Sequence, residues 1–113
     1  MHKLVILIEP LEDWNDFEES WPEFLHKVEE MPGLLREATS KIDQALYGKS
    51  YAQVHELFFA TLQDAQAAMA SSDGRAAGRL LQQMTKGKMT LFIAEYKEDD
   101  LENIKKFQKQ KDE

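Results

Sequence analysis

Along residues 3–9, KLVILIE, apolar side chains occupy both alternating sets, Leu4, Ile6 and Ile8 on one and Val5 and Leu7 on the other. Side chains of a strand alternate between faces, so this segment predicts a strand that is apolar, and therefore covered, on both. Pro10 ends it. From Trp14 the period changes: Trp14, Phe17, Trp21, Phe24, Leu25, Val28 and Met31 recur by threes and fours, the single apolar seam of an amphipathic helix. Pro22 lies inside that seam and predicts a kink. SWPE at 20–23 fits a capping box from which the helix can restart, with Ser20 and Glu23 in the reciprocal positions. MPG at 31–33 is the stop, its glycine free to take a positive φ.

Residues 35–46 alternate only loosely and mix polar with apolar side chains, which predicts an edge strand. YGKSY turns the chain at Gly48. AQVHELFFA at 52–60 is the next strand, with Val54, Glu56 and Phe58 on one face and His55, Leu57 and Phe59 on the other. TLQD caps an alanine-rich helix at Thr61, SSDG at 71–74 interrupts it, and Ser72 is the expected cap of its continuation. Gly74 and Gly78 in that continuation read as close-packing positions. The last strand is MTLFIAEY at 89–96, with Leu91 and Ile93 on one face and Phe92 and Ala94 on the other. The order β-α-β-β-α-β predicts an α+β domain over residues 1–97, with both helices on one face of a single sheet. The other face carries Val54, Phe58 and half of each two-faced strand, and a second copy of the same sheet is its simplest cover, a homodimer. Residues 98–113 read as a charged tail, with Leu101, Ile104 and Phe107 as its anchors.

KLVILIEP, EEMPGLLRE, HELFFATLQDAQAAMASSDGRAAGRLLQQM and LFIAEY together resemble the EthD-like proteins, named for ethyl tert-butyl ether degradation, in the dimeric α+β barrel superfamily. The resemblance runs from about Lys3 to Tyr96 and rests on the combination of the PGL turn, the ELFF strand and the helix broken at SSDG. It implies a ferredoxin-like βαββαβ subunit with an antiparallel sheet, and two sheets packed face to face as a barrel. The wider superfamily includes cofactor-free monooxygenases, isomerases and haem enzymes, so the fold alone does not choose the reaction. Many members carry a histidine in the first helix, around eight residues before the PGL turn. This chain has Glu23 and Phe24 there, and its nearest imidazole is His26.

Charge and composition then narrow the function. A net charge of −7 with no basic patch argues against nucleic acid and anionic membrane as partners. LVILI is too short to span a membrane or to serve as an export signal, so the expected location is cytoplasmic. Without cysteine there is no disulfide, thiolate metal site or thiol nucleophile. His2, His26 and His55 lack metal-ligand spacing, so no metal is expected; a haem could be ligated through His55 alone, but nothing else in the sequence supports one, and no cofactor is expected. The resemblance implies a homodimer whose subunit cavity binds a small, largely apolar organic molecule, as an oxidoreductase needing no cofactor or a pathway accessory protein; a non-catalytic binding or assembly module is the alternative. His55 and Glu56 are the acid–base candidates, on opposite faces of their strand and so not a dyad. His55 reads otherwise as a histidine at the strand's entry hydrogen-bonded to backbone, and Glu56 as half of a salt bridge or of a tyrosine hydrogen bond at the dimer seam. Trp21, Tyr47, Phe58 and Tyr96 are the candidates for positioning substrate, with Trp21 otherwise part of the core and the tyrosines otherwise surface or seam packing.

Overall fold

The structure, a computed structural model, describes residues 1–102. It contains β1 (His2–Ile8), α1 (Trp14–Glu29), β2 (Arg36–Lys41), β3 (Gln53–Phe59), α2 (Leu62–Ala70), α3 (Ser72–Thr85) and β4 (Met89–Glu95). The strands form one antiparallel sheet in the order β2-β3-β1-β4, the ferredoxin-like α+β arrangement. In register, Ile6 of β1 lies between His55 and Leu91, and Val5 between Glu56 and Phe92. The first set faces the helices and the second the uncovered side of the sheet.

The helix face holds the main core. Leu4, Ile6 and Ile8 of β1 and Leu57 and Phe59 of β3 meet Phe17, Phe24 and Val28 of α1 and Ala77 and Leu81 of α3. Removing each of these larger side chains from water contributes roughly 1.5–3 kcal/mol. The aromatic seam of α1 is part of this core: Trp14, Phe17, Trp21 and Phe24 succeed one another at ring separations of 4.7, 5.4 and 5.0 Å.

Four local expectations are corrected. α1 runs unbroken from Trp14 to Glu29, capped by Asp13 rather than restarting at Ser20. Pro22 is exposed there, so it removes one hydrogen bond on the solvent side without dividing the helix. β2 ends at Lys41, not near residue 46, because every residue from Lys41 to Ser50 is exposed and lacks a face to bury. The cap of α3 is Ser71, one residue before the expected Ser72. Its Oγ accepts the Gly74 N–H at 3.0 Å and donates to the Ala68 carbonyl at 2.6 Å, serving both helix ends at once. The last correction is Gly78, where a Cβ would meet open space. Gly74 does need to be glycine, because a Cβ there would collide with the Ala68 carbonyl oxygen. The expected anchors Ile104 and Phe107 lie outside the described residues, and Leu101 is exposed.

The two glycines of α3 therefore separate. Gly78→Ala should raise stability by up to about 1 kcal/mol, the helix-propensity gain with no steric cost. Gly74→Ala should lower it, since the clash with backbone outweighs that gain. Urea unfolding of the two variants reads both signs.

Candidate functional site

His55 is fully buried near the middle of β3, on the helix face. β2 lies alongside in antiparallel register, pairing Thr39 with His55 and Glu37 with Leu57, so both polar β2 side chains flank the ring. Thr39 Oγ1 is 2.8 Å from His55 Nδ1, and Glu37 Oε2 is 3.2 Å from His55 Nε2. From α1, Trp21 meets the imidazole edge-on at 5.0 Å and Phe24 at 6.0 Å. Burial pushes the His55 pKa down to about 4, against smaller upward pulls from a backbone hydrogen bond at Ala38 and from Glu56. Burial, with Glu29 adding to it, raises the pKa of Glu37. A neutral ring satisfies both contacts, donating Nε2–H to the Glu37 carboxylate and accepting the Thr39 hydroxyl proton at Nδ1. That tautomer follows from the hydrogen-bond network.

Beyond Phe24 the helix face holds a cavity of about 200 Å³ that opens to solvent. Its walls are Leu4, Ile6 and Leu57 of the sheet and Phe24, Val28, Ala77 and Leu81 of the helices, and its rim is formed by Met69, Arg75, Gly78 and Leu91. Among the described residues Arg75 is the sole charged one lining it. Phe24 belongs to both sites, separating the imidazole from the cavity. A smaller recess of about 160 Å³ near Leu11 is lined by Glu12, Asp13, Asp16, Lys86 and Lys88, a mixed-charge surface that does not select an apolar guest.

Glu56 sits on the opposite face, as strand alternation requires, bonded to Lys3 Nζ at 2.6 Å. Around this ion pair lie Phe58, Tyr96 and Arg36. Tyr96 meets Phe58 edge-on at 5.4 Å, the Arg36 guanidinium lies 3.6 Å over the Phe58 ring, and Arg36 also pairs with Glu98 at 3.0 Å. Val5 and Phe58 are already buried there, while Phe92 is 44% exposed. Tyr47, 99% exposed in the loop between β2 and β3, touches neither face, and His26 is exposed on α1. The structure thus brings His55 together with Trp21, and Glu56 together with Phe58 and Tyr96, on two separate faces. Glu37, Thr39 and Arg75 were not singled out in the sequence. The cross-strand register would have pointed to the first two, since they share the alternation set that faces His55.

Among the described residues no helix is long and apolar enough to cross a membrane, and no cluster of His, Cys, Asp or Glu could hold a metal ion. No family model and no curated protein matches the sequence. Solved structures do. The chain is similar to an EthD family protein from Bacillus halodurans, at TM-score 0.79 and 26% identity over 86% of this chain and 99% of that one. It also resembles a dimeric ferredoxin-like protein from Thermobifida fusca, at TM-score 0.64 and 18% identity over 84% and 90% of the two chains. SnoaB, a cofactor-independent oxygenase from Streptomyces nogalater, aligns at TM-score 0.58 and 12% identity over 88% and 93%. The resemblance to EthD-like proteins thus extends to the fold of nearly the whole described chain.

The buried imidazole makes stability depend on pH. Its folded pKa of about 4 lies below the ordinary 6.5, so the unfolded chain binds the extra proton as pH falls through that window. Stability should therefore drop between pH 6.5 and 4, by up to about 3 kcal/mol from this group. Glu37, whose pKa burial raises, acts in the opposite sense. Urea titrations across the window should show a steeper acid loss in the parent than in His55→Leu; parallel curves would mean the ring does not carry it.

Proposed function

We propose that this EthD-like protein is a homodimer that binds a small, largely apolar organic molecule in the cavity between its helices and its sheet. The observation that carries the reading is the cavity itself, whose walls are aliphatic and aromatic side chains. A dry cavity of about 150 Å³ accepts benzene, so about 200 Å³ suits a single ring with a short substituent. The dimer is supported by the other face, where Val5, Val54, Phe58 and Phe92 surround one ion pair, and by similarity to dimeric ferredoxin-like proteins. The protein acts in the cytoplasm on this reading, as a binding or pathway accessory protein.

A second reading makes it an oxidoreductase that needs no cofactor, and the observation favouring it is the neutral His55 imidazole standing one side chain behind the cavity wall. In that case a substrate proton can reach His55 only by displacing the Thr39 hydroxyl from Nδ1, the ring edge being packed by Trp21 and Phe24. Glu56 then serves the dimer seam through Lys3, with Phe58 and Tyr96 beside it, rather than the chemistry.

Two measurements test the proposal. Single-ring apolar probes such as toluene should raise the melting temperature of the parent, and Gly78→Leu, which directs a side chain into the open space, should abolish the shift. No shift with any such probe in the parent would remove the binding reading. Phe92→Glu should turn a parent that sediments as a dimer into a folded monomer, because the new charge can reach water only when the partner leaves. Leu91→Glu, on the helix face at the cavity rim, should leave the dimer intact and abolish probe binding.

A further inference from the structure

Arg75 is exposed at the mouth of an otherwise apolar cavity, in a chain whose net charge is −7. Among the described residues its side chain makes no ion pair, hydrogen bond or ring contact. Lys3, Arg36, Lys41 and Lys49 are each paired with a glutamate, whereas Arg75 on α3, like Arg79 of the same helix, has no acidic partner among the described residues. Arg75 also follows the Ser71 cap by one helical turn, so the positive end of the α3 dipole adds to its field. Arg79 is the next residue of like charge on the same helix, and Asp73 is the acidic residue in its first turn.

From these features we infer that the ligand of the cavity is amphipathic: a small aryl- or alkyl-carboxylate whose apolar body fills the space and whose carboxylate is held by Arg75 at the rim. This rests on the binding reading proposed above and specifies its ligand class. A wall of Leu4, Ile6, Phe24, Leu57 and Leu81 leaves a polar atom at the inner end of a ligand without a partner. The rim is where a charged group keeps contact with water, and a planar guanidinium matches a carboxylate with two parallel hydrogen bonds. A neutral ligand of the same shape leaves that interaction unused.

The test compares 3-phenylpropanoate with its neutral amide, two probes of the same size, by titration calorimetry at low salt. The parent should bind the acid at least about tenfold tighter than the amide, a difference that added salt reduces. In Arg75→Ala the ratio of the two affinities should fall to near one, and in Arg75→Lys it should be intermediate, because a point charge replaces the fork. Equal binding of acid and amide by the parent would overturn the inference while leaving the cavity reading standing. So would a ratio unchanged in Arg75→Ala. Binding of neither probe would overturn both.

Discussion

Everything in this fold follows from a central strand that is largely apolar on both sides. β1 presents Leu4, Ile6 and Ile8 to the helices and Val5 and Leu7 to the other face, while pairing with β3 on one edge and β4 on the other. Backbone pairing on both edges fixes the register, and a slip by one residue would exchange the two faces. The flanking strands obey the same register, so that His55 and Leu91 accompany Ile6 while Glu56 and Phe92 accompany Val5. α1, α2 and α3 cover one face. The apolar remainder of the second is what the proposed partner copy would bury.

The two faces treat polar groups differently, and the difference assigns their roles. On the helix face a polar side chain is removed from water, so His55 stays neutral and is held by Thr39 and Glu37. The same dryness leaves the neighbouring cavity apolar, with its single cation at the rim. On the other face Lys3 and Glu56 retain side-chain exposures of 26% and 22%, enough for the pair to form without full desolvation. Covering them in a dimer would raise the cost of misalignment, so the pair contributes specificity of register more than strength.

Much of this was legible in the chain. The change of apolar period at Trp14 located α1, aliphatic and aromatic runs apolar on both faces located β1, β3 and β4, and caps with alanine content located α2 and α3. The faces of His55 and Glu56 followed from alternation alone. What escaped depended on relations the pattern does not contain. Residues 42–46 continue the loose alternation of β2 yet have no neighbour to bury them, so the strand stops early. Ser71 and Ser72 are equivalent as symbols, and only the position of the Ala68 carbonyl selects the first. Gly78 and Gly74 look alike for the same reason, though one faces open space and the other backbone. The cavity is a gap left between elements that meet only in the folded chain, and Glu37 reaches His55 only once β2 and β3 are in register.

The central claim is that the sheet has two apolar faces with two different covers, its own helices and a second copy. Mixing ¹³C-labelled with unlabelled protein and recording only the NOEs that pass between copies tests it directly. The account predicts intermolecular NOEs from Val5, Val54 and Phe92, and none from Ile6, Leu57 or Leu81. An absence of intermolecular NOEs at high concentration, or contacts running through the helices instead, would contradict it.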